Sequence, residues 1–550
     1  MKYINKLSIV ALSCASLLSC TDLDTIPQGG IFTEEQKQEV VESDPSKLKA
    51  DITGMYANNL IQYSVFGSSQ RGDDFGYPAV CLSNDLNGPD MLAPDAGYNW
   101  FTTCSEYSDR SDTYANPYMR WALFYNQIKL ANDILASIPE DTENQVLKYY
   151  RGQAKAVRAF DYLSLVPYFQ FKYKGNEDKP SVPIVKDRME GDLTNNPRAS
   201  LKDIYEFILS DLNAAITDLE GFQRLSKGEI DQQVAYGLRA RANLYTENWA
   251  AAADDAAKAM QGYNFYSRSD VSKPTFINSN EPGWIWSLVI TDVDYNADNS
   301  LISWPGVIGS FCAGSYSAGA GMYKTINTLL FNKIPATDVR KGWWVDGKLH
   351  SDNLNGQKWG SAEGDAIAKL ELPNMEKAPF LPYTVVKFGM YGGLGNNVAA
   401  NHWPIMRAEE MLFIQAEGKA MAGDLNAGKT LLENFVKANR DPSYSCTAAN
   451  ANSFQNEVWL QRRIELWGEG FSMSDIMRLG KNIVRVRPGV ATNVPEAFQF
   501  NLSANDGWLL MRIPQKETNS NLGIPTSANN NEGNQPIPGS GAGLTDGITD

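Results

Sequence analysis

Histidine is nearly absent: the 550 residues contain two, His350 and His402, in different segments and without metal-ligand spacing. That takes the commonest metal ligand and general base out of most of the chain, and both are read as structural or solvent-facing. Cysteine is also scarce, at six, and none stands in a Cys-x-x-Cys pair, so neither a zinc site nor a dithiol redox centre is indicated. No Gly-x-Ser-x-Gly elbow and no phosphate-binding loop occurs, and GSGAG near the C-terminus is low complexity. Beyond the N-terminus there is no run of about 18 apolar residues to span a bilayer. Positive charge is short too. A net charge of −15 argues against nucleic acid, and against adhesion of the surface to anionic lipid headgroups. Carboxylate pairs for glycosidic cleavage need no sequence spacing, and 64 acidic residues single out none.

The N-terminus, MKYINKLSIVALSCASLLSC, pairs Lys2 and Lys6 with an apolar run, Leu7–Leu18, too short to cross a membrane. Leu17-Leu18-Ser19-Cys20 resembles a bacterial lipobox, which predicts removal of residues 1–19 and a lipid on Cys20 (palmitate, by radiolabel). A cut at Cys14 would leave too little apolar run. Cys81, Cys104, Cys312 and Cys446 then remain, and four cysteines allow three complete pairings. Cys81 and Cys104 are nearest in sequence, but buried free thiols are the reading adopted.

Thr25–Ser46 reads as a polar linker, followed by a helix at Lys47–Leu60 and an irregular, aromatic-rich stretch at Gln62–Asn116. Helical periodicity marks Pro117–Ile138, Asn144–Tyr162 running on into LVPYF, and a helix capped by Ser200. Asp231–Gly262 and Trp403–Asn439 read as helical hairpins with small packing faces, the second with Pro404 at its helix start. Tyr263–Asn401 has almost no helical period. A structureless loop of that length is implausible in a compact domain, so short strands and internal packing are expected. Thr518–Asp550, rich in Asn, Gly, Pro and Ser, reads as a mobile tail.

In EVWLQRRIELWGEGFSMSDIMRLG, 100° steps put Trp459, Leu460, Ile464, Leu466 and Trp467 on one arc with Arg463 in its middle. A guanidinium placed there demands a carboxylate, and Glu469 and Asp475 are nearest in sequence. Gly468 and Gly470 break the helix, and Ser472 can cap a second one ending at Gly480. Arg462, Arg463, Glu465, Leu466, Glu469, Gly470, Asp475, Arg478 and Gly480 together resemble the late signature of the SusD/RagB family. GQAKAVRAFDYLSLVPYF is similar to that family's Arg-Ala-x-x-Tyr element, and MRIPQKETNSN to its Ile-Pro-x-x-Glu close. The Asn-Pro and aromatic ending usual after that close is absent or rearranged.

The resemblance implies a mainly α fold, a tetratricopeptide-like scaffold of helical hairpins interrupted by irregular insertions with short strands. It divides the mature chain into an N-terminal helical region, 20–262, with its loop insertion at 62–116, and a C-terminal region, 263–550. The latter holds the insertion 263–401, the hairpin 403–439, the signature helices 457–480 and the tail 518–550. It further implies an outer-membrane lipoprotein, facing the extracellular side, that captures glycan for a SusC-like TonB-dependent transporter, with no catalytic residues and no cofactor. A peptide-binding member of the same family and a surface glycoside hydrolase are the alternatives.

Tryptophan carries the site expectation. Trp100, Trp284, Trp286, Trp304, Trp343, Trp344 and Trp359 fall in irregular segments, and flat rings suit the C–H face of a pyranose. A shallow platform is expected from Asp90–Phe101 and Gly283–Trp359, with Tyr98, Trp100, Trp286, Trp343 and Trp344 stacking and Asp90, Asn99 and Arg340 as polar partners. Asp292, Asp294, Asn296 and Asp298 alternate like a calcium loop. They lack its turn glycine and terminal Glu, so a solvated acidic loop is preferred.

Overall fold

A computed structural model describes residues 33–60, 65–66, 71–188, 193–294, 301–360 and 380–550. Cys20 and the lipobox lie outside the described residues, as do Asn296 and Asp298 of the acidic loop.

The scaffold is a stack of helices. The main elements are α1 (Glu34–Ser43), α2 (Lys49–Leu60), α3 (Tyr77–Asn87), β1 (Met91–Leu92), α4 (Thr102–Glu106), α5 (Ala115–Ala136), α6 (Gln145–Phe169), α7 (Leu201–Asp218), α8 (Gln232–Tyr245) and α9 (Trp249–Ala259). After these come β2 (Trp284–Leu288), β3 (Thr325–Ile326), β4 (Trp403–Arg407), α10 (Ala408–Met421), α11 (Leu425–Asn439), α12 (Ala451–Glu465) and α13 (Ser472–Leu479). Each helix from α5 to α10 packs on the next, and α10 carries both α11 and α12. The α9–α10 contact closes the stack although residues 263–401 separate the two helices in sequence. Glycine permits the closest approaches. A Cβ on Gly418 would stand 2.6 Å from the Trp249 carbonyl oxygen, and one on Gly428 2.6 Å from that of Ala416. One apolar core runs from Val41 to Ile524, so the regions on either side of residue 262 share it.

The insertion between α9 and α10 is anchored by strands. β2 pairs antiparallel with β4, placing Trp284 opposite Arg407 and Leu288 opposite Trp403, and β1 pairs with β3. Pro404 therefore sits in a strand and does not start a helix.

Several local expectations change. Part of the supposed linker is α1, closed by a reciprocal capping box between Thr33 and Gln36. The supposedly irregular 62–116 stretch holds α3, buried on nearly every face. A helix buried on nearly every face, with Ser83, Asp85 and Asn87 among its buried residues, has no clean apolar stripe, which is why its sequence looked patternless. Ser472 is the first residue of α13 and not its cap. The cap comes from α3 instead: the Asp85 carboxylate accepts the backbone N–H of Gly470 (3.0 Å) and of Ser472 (3.1 Å). The expected mobile tail is docked: Asp546 lies buried against Arg463, and the Asn529 amide hydrogen-bonds both backbone groups of Ile513.

The signature residues form buried charge pairs. Arg463 meets Asp90 at 2.7 Å and Asp546 at 2.8 Å, not the nearby Glu469 or Asp475 expected from sequence. Asp475 bridges Arg462 (2.7 Å) and Arg478 (2.8 Å), and Arg478 reaches Glu417 at 2.7 Å. Glu469 takes Lys387 (2.7 Å) and Arg407 (2.8 Å), while Glu465 takes Arg440 (2.8 Å) and Arg340 (3.3 Å). With Asp338 on Arg340 and Glu409 on Arg407, four cations face four carboxylates in the buried interior. Breaking one such pair costs about 3–5 kcal/mol, because the partner stays buried and unpaired. Gly470, at φ 91°, passes so close to Cys81 that a Cβ would lie 2.5 Å from the cysteine's own. The motif is a clamp joining α3, the insertion, α12 and the tail.

Candidate functional site

Six of the eight expected ligand residues are interior. Trp286 and Trp343 are fully buried and Trp344 is 1% exposed. Trp286 lies edge-on to Phe160 at 4.9 Å and donates its indole N–H to the Gly228 carbonyl. Trp343 donates to the Val271 carbonyl at 3.0 Å, and Trp344 packs against Trp467 at 5.4 Å. Rings with no face in solvent cannot stack on a sugar, so these three are corrected to core residues. Arg340 is buried in the ion network, held by Asp338 (2.7 Å) and Gln461 (2.6 Å), and Asp90 is occupied by Arg463. Asn99 is buried as well. Its amide donates to the Pro94 carbonyl (3.1 Å) and its oxygen accepts from Phe101 N (3.3 Å), so it shapes the loop and does not offer a free polar group.

That loop presents the remaining two. Phe101 plugs into the core against Phe75, with centroids 6.3 Å apart, and Asn99 tightens the turn before it. Tyr98 and Trp100 are left outward, 67% and 37% exposed. Trp100 lies over Gly72, where a Cβ would collide with the indole. Tyr316 meets Trp100 edge to face at 6.3 Å, from a turn of small residues tied by Ser315 and Ser317. Arg71 stands between rings, its guanidinium carbon 5.8 Å from the Trp100 centroid and 5.4 Å from that of Phe66. Buried Asp73 fixes it through two parallel bonds of 2.8 and 2.9 Å, and this hydrogen bonding raises the Arg71 pKa. Phe66 continues to Tyr118 (5.9 Å), over which the Lys516 ammonium sits at 4.1 Å. The result is a half-exposed strip of rings with a rigid, permanently charged donor fork among them. It can stack on apolar ring faces and donate to hydroxyl or carboxylate oxygens.

Tyr316, Arg71, Phe66 and Tyr118 were missed. Only Tyr316 carried a signal: a lone aromatic inside GSYSAGAG has no bulky neighbours to bury it. His402 accepts from Ser279 N at 3.0 Å and is half-buried, while His350 is exposed beside Asp352. All four described cysteines are free and buried. Among the described residues no group of His, Cys, Asp and Glu could hold a metal ion, and in the acidic loop Asp294 accepts from Thr291 N and Oγ1.

A helical-hairpin stack with aromatic-bearing loops and a buried charge clamp defines the class, and the comparisons agree. In fold the chain is similar to a SusD-like carbohydrate binding protein from Bacteroides vulgatus ATCC 8482, with a TM-score of 0.70 and 23% identity over 87% of this chain and 96% of that one. It is also similar to a SusD superfamily protein from Bacteroides thetaiotaomicron VPI-5482 (TM-score 0.65, 19% identity, 88% and 99% covered). A SusD-like carbohydrate binding protein from Bacteroides fragilis NCTC 9343 matches with TM-score 0.63, 16% identity, and 88% and 100% covered. No curated protein sequence matches. One family model, described as starch-binding associating with outer membrane, matches residues 85–244, and that of the SusD family matches residues 325–535. The chain belongs to the SusD/RagB family.

Proposed function

We propose that this protein is a surface lipoprotein of the outer membrane that binds glycan on the Trp100–Tyr316 strip, does not cleave it, and passes it to a TonB-dependent transporter. The observation that carries the reading is the pair of half-exposed rings flanked by the Asp73-fixed guanidinium of Arg71. The family descriptions and the carbohydrate-binding neighbours support the ligand class. No described helix is long and apolar enough to cross a membrane, so attachment is assigned to a lipid on Cys20.

Stacking about 50 Å² of apolar sugar face on one ring contributes about 1.3 kcal/mol at 25 cal/mol/Å². Two rings and a charged hydrogen bond support only about millimolar affinity for one sugar unit. Tight capture therefore requires long chains that touch several subsites, or engagement of the transporter as well. A glycan array with the purified protein identifies the ligand, and Trp100→Ala must then lose it while the melting temperature holds. Retained binding, or polysaccharide shortened on prolonged incubation, would overturn the reading. Cys20→Ala should abolish palmitate incorporation and leave the protein unprocessed.

A further inference from the structure

Between α3, α6, α8 and the Glu469–Ser474 turn lies a cavity of about 50 Å³ that shares no residue with the aromatic strip. One water needs roughly 10–15 Å³ of such space, so the cavity has room for several waters or for a small ion with water. Arg110 lines it, 1% exposed, and its Nε and Nη2 have no hydrogen-bond partner. Asp109 pairs with it loosely: Oδ1 stands 3.9 Å from Arg110 Nε and has no hydrogen-bond partner, while Oδ2 accepts from the Asn116 amide and the Cys104 thiol.

Even with Asp109 counted, buried positive charge around Arg110 exceeds buried negative charge. Arg120 is buried, with Nε and Nη2 also unpartnered, and it donates to Asn116 Oδ1 at 2.9 Å. Arg485 is buried against the Tyr107 and Phe500 rings and donates to the carbonyls of Gly88, Ser105, Leu86 and Asn87. Arg512 donates to the carbonyls of Leu510 and Glu532. Burial and then the charge of Arg110 hold the Arg512 pKa down against the opposing pull of Asp506 and Asp112. For Arg485, burial and Arg110 outweigh the opposing pull of Tyr107 and bring it to about 10. The other charges lining the cavity are already matched, Arg241 by Glu410 and Glu469 by Lys387 and Arg407. Elsewhere in this molecule buried guanidinium groups meet carboxylates, as Arg463 and Arg440 do.

We infer that this cavity binds a small monovalent anion of halide size, held by the unpartnered Nη2 of Arg110 on the side away from Asp109. Asn87 Oδ1, a second buried atom without a partner on the cavity wall, needs a donor, so water accompanies the ion. Such an ion would supply the missing negative charge and tie Arg110 to the base of the signature turn.

Two readouts on the unaltered protein test this. Crystals grown without halide and transferred to sodium bromide should show an anomalous peak within hydrogen-bonding reach of Arg110. At fixed ionic strength, replacing gluconate by chloride should raise the melting temperature saturably, by about 1–2 °C. Arg110→Gln, where it folds, should lose that response. Water alone at the site, equal melting in chloride and gluconate, or bromide bound at crystal concentration only, each overturns the inference.

Discussion

On the loop of residues 93–101, Trp100 keeps 37% of its surface in solvent, whereas Trp284, Trp286, Trp304, Trp343, Trp344 and Trp359 of the 263–401 segment keep 5% or less. Trp284 and Trp286 lie in β2, whereas Trp344 and Trp359 lie outside any helix or named strand as Trp100 does, yet all but Trp100 are buried, so secondary structure does not explain the contrast. Size does. A nine-residue loop can lean on a scaffold already built: buried Phe101 and Asn99 anchor it, and Tyr98 and Trp100 are left outward. The long segment has no helical hairpin of its own and must bury apolar area by folding around its tryptophans. An aromatic ring in a long insertion is thus first a core residue, and one in a short anchored loop is available to a ligand.

The sharpest way to break this contrast is to cut the clamp that holds the long segment. Glu465→Ala would leave Arg340, Arg407 and Arg440 short of a carboxylate and cost at least about 3–5 kcal/mol, read as a large fall in melting temperature. The same residue sets a pH dependence. Burial pushes the Glu465 carboxyl up from 4.5, but Arg440, Arg407 and Arg340 outweigh it and hold it well below. A depressed folded pKa means the stabilisation is present above pH 4.5 and is lost as the pH falls below it. Acid titration of the melting temperature should show that loss.

Next in size, Trp343→Ala should cost about 3–5 kcal/mol through the cavity it leaves, with glycan affinity unchanged wherever the protein remains folded. Tyr316→Ala should reverse that pattern, weakening binding by about 1 kcal/mol, roughly fivefold, at constant stability. Gly72→Ala is the mildest. Its methyl would push the Trp100 ring aside and weaken binding a few-fold by calorimetry while Trp100 stays in place.

Much of the scaffold was legible because α5 to α9 and the α10–α11 hairpin declare themselves by period, caps and small residues. Helix α3 was not, since burial on all sides erases the pattern that reveals a helix. That Arg463 needed a carboxylate was legible. That Asp90 and Asp546 would supply it was not, because partners 373 and 83 residues away are joined only by the fold. The site divided likewise. Tyr98 and Trp100 were expected along with the tryptophans of every irregular segment, with nothing to set their loop apart, whereas Arg71 and Phe66 reach the strip from before α3 and Tyr316 from an insertion far along the chain. A count of tryptophans reports how many rings exist and is silent on what covers them.

The most direct test pairs two substitutions against one identified glycan, with calorimetric binding and thermal unfolding measured on both. Trp100→Ala should lose about tenfold or more in affinity and keep the wild-type melting temperature, while Trp343→Ala should melt far lower and bind normally when folded. Unimpaired binding by Trp100→Ala, or lost binding by folded Trp343→Ala, would contradict the assignment of the short loop to ligand and the long segment to core.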